Sequence, residues 1–143
     1  MLKKRNLSES EKEGSHEDEN FLNDNMKEKG QFKNFAICQK TQEHLKQVGI
    51  QYLFPIQQET FTPIYEGKDL IGQDRTGSGK TLAFSLPVLE SFRKKNAFER
   101  RGKNPMVVVV VPTRELATQV SKEFERFMNK EGEYVVGCFY GGN

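Results

Sequence analysis

Leu70-Ile71-Gly72-Gln73-Asp74-Arg75-Thr76-Gly77-Ser78-Gly79-Lys80-Thr81-Leu82-Ala83-Phe84 decides how this chain folds. Leu70 to Gln73 predicts a short strand, Asp74 to Gly79 a glycine-bearing loop, and Lys80 to about Lys94 a helix. That helix has Leu82, Phe84, Leu86, Leu89 and Phe92 among its apolar positions, and Pro87 is expected to bend it. A strand–loop–helix unit with Thr76-Gly77-Ser78-Gly79-Lys80-Thr81 at its turn is the setting in which backbone cradles nucleotide phosphates. Glycines at 77 and 79 let successive N–H groups curl inward, and the helix N-terminus adds the positive end of its dipole. Lys80 brings a cation to the β- and γ-phosphates, and the Thr81 hydroxyl is a Mg²⁺ ligand. The pattern G-x-x-x-x-G-K-[ST] holds except at its first position, which is Asp74. A carboxylate there repels a triphosphate unless it turns outward or pairs with a base such as Arg75. The alternative is a glycine-rich turn without ligand; the strand–loop–helix setting argues against it.

Working outward, residues 93–105 form a polar, basic connection, and Met106 to Val111 is a continuous apolar run with five valines. Such a run predicts a strand covered on both faces, as in parallel sheets. A helix is expected from about Arg114 to Met128, with Leu116, Val120, Phe124 and Phe127 at helical spacing, then a third strand from Tyr134 to Phe139. Alternating strands and helices predict an α/β fold: a parallel sheet with flanking helices and right-handed crossovers. On the other side of the loop, Thr41 to Val48 predicts a helix stopped by Gly49. Pro55 suits the first turn of another, which Pro63 is expected to end. Residues 1–31 read as a disordered charged tail and 32–143 as the domain. The tail has few apolar side chains, with 6 basic and 8 acidic residues.

Over all 143 residues the net charge is +2, which permits a nucleic-acid partner without arguing for one. Cys38 and Cys138 stand 100 positions apart with no nearby His, so zinc spacing is absent and reduced thiols of an intracellular protein are expected. No apolar run approaches the roughly 20 residues of a membrane span, so no membrane partner is expected. Lys3-Lys4-Arg5 is followed by no apolar stretch, which argues against a secretory signal.

Two further segments narrow the reading. One is Gly49-Ile50-Gln51-Tyr52-Leu53-Phe54-Pro55-Ile56-Gln57, with Phe32 17 residues before Gly49; the other is Pro112-Thr113-Arg114-Glu115-Leu116-Ala117 after the valine run. With the phosphate loop, in this order, they resemble the DEAD-box RNA helicases, from about residue 32 onward. The resemblance implies a RecA-like fold and an ATP-binding Q motif, with Phe32 stacking on adenine and Gln57 pairing with its edge. A Gln amide can present a donor and an acceptor to adenine N6 and N7, and an aromatic ring can stack on a base. Taken alone, Phe32 reads as a core residue with Phe35 as its neighbour, and Gln57 reads equally as an exposed helix residue. The resemblance also implies that Pro112, Thr113, Arg114, Glu115, Gly141 and Gly142 contact RNA backbone. Thr113 reads independently as a helix N-cap, and both roles can coexist.

Within the family, Tyr52 to Gln57 and Glu66-Gly67-Lys68-Asp69-Leu70-Ile71 are most similar to the nucleolar RNA helicase II (Gu) group, which implies a nuclear or nucleolar location. Leu53 and Phe54 replace the usual Pro and Thr or Ser, a lost hydroxyl link to the phosphate loop; Gly72 and Asp74 replace the usual alanines. The implied activity is ATP-dependent RNA unwinding, with RNA, ATP and Mg²⁺ as partners. No Asp-Glu-Ala-Asp sequence follows Gly142. The chain is therefore expected to be an N-terminal fragment of an incomplete RecA-like domain, without the second one, and inactive in hydrolysis by itself. The competing reading is a non-catalytic ATP- or RNA-binding module.

Overall fold

Each helix in the computed structural model starts and stops where local chemistry requires it; the structure describes residues 24–95, 104–128 and 134–141. Helix α1 (Gln39–Gln47) ends at Gly49, whose φ of 91° is the left-handed value that only glycine adopts without strain. The Ile50 N–H then reaches back to the Leu45 carbonyl at 2.9 Å, closing the terminus. Helix α2 (Pro55–Tyr65) begins with proline in its first turn, as expected. It runs two residues beyond Pro63, which does not end it. The last turn is held by packing: Tyr65 stacks on Phe61 of the same helix at 5.7 Å, and Lys94 lies over the Tyr65 ring at 5.2 Å. Helices α3 (Lys80–Lys94) and α4 (Arg114–Met128) match their expected bounds.

Pro87 lies fully buried inside α3. A proline has no N–H, so the carbonyl four residues earlier, that of Ala83, loses its helical donor. Thr60 on α2 supplies the replacement. Its buried hydroxyl is shared between the Ile56 carbonyl at 2.7 Å and the Ala83 carbonyl at 3.0 Å. The gap left by proline thereby becomes a polar pin across the α2–α3 seam.

A second buried polar group ties α1 to α3. The Glu90 carboxylate accepts from the Cys38 N–H at 2.9 Å, the Thr41 hydroxyl at 2.6 Å and the Arg93 guanidinium at 2.6 Å. Charge, helix-start N–H and the buried Thr41 hydroxyl are satisfied together, as a buried carboxylate requires. Apolar packing fills the space between: Phe32, Leu45, Leu53, Phe61, Leu86 and Phe124 belong to one buried cluster.

The expected parallel sheet is not formed among the described residues. Leu70–Gln73, Met106–Val111 and Tyr134–Phe139 are extended but carry no strand assignment. Their sidedness survives: Val107 and Val109 are 36% and 39% exposed, Val108 and Val110 73% and 88%, and Val111 packs against the core. Val111 is the residue of this run that packs against the core, where cover on both faces was expected. Alternation needs only the pleat, whereas a strand needs a laterally hydrogen-bonded neighbour. The expected tail boundary at residue 31 also differs. Residues 24–29 are helical, and Gly30 approaches so closely that a Cβ would stand 2.3 Å from the Leu53 carbonyl oxygen. Leu53 N–H donates to Gly30 at 2.8 Å, and Gln58 to Met26 at 3.1 Å. Residues 1–23 lie outside the described residues.

Thr60→Val should destabilise the protein by about 1–3 kcal/mol in urea unfolding, because it orphans the Ala83 carbonyl. The loss should shrink in a Pro87→Ala background, where residue 87 regains an N–H; an unchanged loss would refute the pin.

Candidate nucleotide-binding site

The loop from Asp74 to Gly79 curls at its two glycines. Gly77 and Gly79 both have φ of 83°, and Gly79, with ψ of 29°, is the N-cap of α3. At Gly77 the demand is conformational, since nothing lies within 4 Å of an added Cβ. At Gly79 it is also steric: a Cβ would meet Gln57 Nε2 at 2.3 Å. Thr76 is exposed, Ser78 and Thr81 are half-buried, and Thr81 lies in the first turn of α3.

Lys80 bends back over the loop, its ammonium donating to the Asp74 carbonyl at 2.8 Å and the Arg75 carbonyl at 2.6 Å. The Asp74 carboxylate accepts from the Arg75 backbone N–H at 2.7 Å, so its partner there is the main chain. Its pKa is held below 3.8, chiefly by that N–H and next by the Ser78 hydroxyl; desolvation opposes them, and the charges of Lys80 and Arg75 add smaller lowering effects. The Ser78 contact falls short of a formed hydrogen bond. Ser78 Oγ is enclosed and has no hydrogen-bond partner. An enclosed donor without acceptor and a cation resting on carbonyls are what a bound phosphate would satisfy.

Gln57 is brought onto this loop from α2. Its Oε1 accepts from the Phe54 N–H at 2.8 Å and its Nε2 donates to the Gly79 carbonyl at 3.1 Å, with the residue 4% exposed. The amide thus joins the start of α2 to the start of α3. It supplies a polar link even though Phe54 carries no hydroxyl. Phe32 is not brought to the loop; it is 4% exposed and packs in the core. The aromatic beside the loop is Phe54, 46% exposed and edge-on to Tyr52 at 5.9 Å. Sequence reasoning marked Phe54 only as a departure; its position after Leu53 and before Pro55 was the available signal.

The sequence model of the DEAD/DEAH box helicase family matches residues 54–143, a span that includes the loop, α3 and α4. The chain belongs to the DEAD/DEAH box helicase family. Among relatives, mouse ATP-dependent RNA helicase DDX50 is 46% identical over 135 residues, covering 94% of this chain and 18% of that protein. Mouse nucleolar RNA helicase 2 is 47% identical over 130 residues, covering 91% of this chain and 15% of that protein. The mitochondrial DEAD-box ATP-dependent RNA helicase 9 of Arabidopsis thaliana is 50% identical over 98 residues, 68% of this chain and 16% of that protein. The chain thus spans less than a fifth of these relatives' lengths, and the resemblance to the nucleolar helicase group holds.

In this DEAD/DEAH box chain the second set of expected contact residues gathers at the start of α4. Thr113 Oγ1 accepts from the Leu116 N–H at 3.2 Å, the N-cap geometry expected. Pro112, Arg114 and Glu115 are exposed beside it. Arg114 lies over the Tyr140 ring at 5.9 Å, which brings exposed Gly141 to the same end of α4. Gly142 lies outside the described residues. No described helix is long and apolar enough to cross a membrane.

Gly79→Ala should lower unfolding free energy by about 1–3 kcal/mol, from left-handed strain and the displaced Gln57 amide. A melting curve matching the parent would refute that packing. Because the folded pKa of Asp74 is depressed, its stabilising contribution is present above 3.8 and is lost as pH falls through the folded value. Carboxyl NMR titration should place its midpoint below that of an Asp74-containing unfolded peptide.

Proposed function

We propose that this chain is the N-terminal, ATP-binding part of an ATP-dependent RNA helicase. The observation that carries the proposal is the loop: two left-handed glycines, an enclosed Ser78 hydroxyl without partner, and Lys80 at a helix start, within a DEAD/DEAH box sequence. Backbone N–H groups of 76–81 and Lys80 would hold the β- and γ-phosphates, and Thr81 would bind Mg²⁺. Bound Mg²⁺ would neutralise phosphate charge.

Gln57 fits adenine recognition less directly than the loop fits phosphate, because both ends of its amide are engaged within the protein. Its second N–H and second lone pair remain available to a base edge. Phe32 would have to leave the core to stack on adenine. Phosphate binding is therefore the firmer part of the reading. The exposed start of α4, with Thr113, Arg114, Glu115 and Gly141 together, suits a nucleic-acid phosphate at a helix N-terminus, and Pro112 and Gly142 adjoin it in sequence. RNA as partner and a nuclear or nucleolar location follow from relatives named as RNA helicases and as nucleolar. The two sequence regions would be the tail and a partial RecA-like domain, with the second such domain supplied by the full-length protein.

The 143 residues should bind a fluorescent ATP analogue in the presence of Mg²⁺, and Lys80→Ala should weaken that binding by about tenfold or more. They should show no RNA-stimulated hydrolysis. Equal binding by the two proteins would refute the phosphate role of Lys80. Robust turnover would refute the need for an acidic metal-holding motif and favour a self-sufficient enzyme. The competing reading is a binding module that is never part of a helicase. It would gain support if an antibody against residues 1–31 detected only a 16.5 kDa protein in cells.

A further inference from the structure

Asp74 is the one loop residue whose chemistry opposes the proposed ligand. It stands at the first position of the phosphate loop, fully exposed, six residues before Lys80. Two features show that it is integrated into the loop. Its carboxylate takes the Arg75 backbone N–H at 2.7 Å, and its own carbonyl takes the Lys80 ammonium at 2.8 Å. The Arg75 carbonyl, on the next residue, takes the same ammonium at 2.6 Å. The loop's anion and its cation are therefore fastened to the same two residues. Lys80, Ser78 and Arg75 also contribute to holding the carboxyl ionised, so these groups lie within its electrostatic reach.

We propose that Asp74 is a built-in brake on nucleotide binding: an internal carboxylate, fixed on the Arg75 N–H beside the carbonyls that hold Lys80, that competes with a nucleotide polyphosphate for the loop's positive potential. The inference rests on the reading of this loop as a phosphate site and specifies how that site is tuned. A nucleotide must draw Lys80 off two carbonyls and approach a fixed negative charge. Removing the charge leaves the loop backbone and both glycines in place. Asp74→Asn keeps an acceptor for the Arg75 N–H; Asp74→Ala removes it. If charge is the brake, the two substitutions act alike. If the hydrogen bond merely shapes the loop, Asp74→Asn resembles the parent.

The experiment is equilibrium titration of the parent, Asp74→Asn and Asp74→Ala with a fluorescent ATP analogue and Mg²⁺, at low and high salt. Both variants should bind about tenfold tighter than the parent at low salt, the scale of one unit charge across a solvent-exposed loop. The gain should narrow as the Debye length falls from about 10 Å at 0.1 M to about 3 Å at 1 M. Measurable binding by all three with equal affinity, or weaker binding by both variants, overturns the brake while leaving the phosphate site intact. Tighter binding by Asp74→Ala alone also overturns it, because the hydrogen bond and not the charge would then be responsible. No binding by any of the three overturns the brake and the phosphate site together.

Discussion

The α2–α3 seam is the constraint on which the rest of the molecule depends. Two polar contacts cross it, and both run from an α2 side chain to an α3 backbone carbonyl. Gln57 reaches Gly79 and Thr60 reaches Ala83. Three residues on one helix answer four on the other, so the contacts lie in step along one ridge. The Ala83 carbonyl has lost its helical donor to Pro87, whereas the Gly79 carbonyl takes the Gln57 amide on a second lone pair beside the Ala83 N–H. The seam therefore fixes where the loop sits relative to the first turn of α2. The proposed phosphate site is positioned by the same two hydrogen bonds.

The Glu90 network gives α3 a second attachment, toward α1. A carboxylate in an apolar interior is costly unless its acceptor sites are filled. Here a backbone N–H, a hydroxyl and a guanidinium fill them. The arrangement stabilises by geometry more than by net ion-pair energy, since desolvation offsets much of the attraction. Its consequence is positional: the start of α1 is set by a residue in the middle of the loop's own helix.

Much of this was legible in the sequence, and the remainder was not for identifiable reasons. Helix bounds followed from local signals: Gly49 as a stop, Pro55 as a start, Gly79-Lys80 as a cap and first residue. Pro63 misled because a proline near a helix end can be carried by packing of the last turn, here Tyr65 against Phe61 of the same helix and Lys94 of α3. The alternation along the valine run was legible, but no single segment specifies its neighbour, and the described residues carry no strand assignment. The left-handed turns at Gly77 and Gly79 were legible because the loop motif is contiguous. The Gln57 link to Gly79 spans 22 positions and the Thr60 pin 23, beyond what spacing can reveal. Gly30 was placed in the tail by composition, although its demand is steric.

Pro87 also divides α3 mechanically. A helix lacking one rung of its hydrogen-bond ladder is more compliant at that point than an unbroken one. Upstream of the proline lie the two turns that carry the loop; downstream lies Glu90, moored to α1. Displacement at the loop can thus be absorbed near the middle of the helix, while the distal turns keep their mooring. The same residue that opens the Ala83 carbonyl to α2 makes α3 two levers on a shared axis.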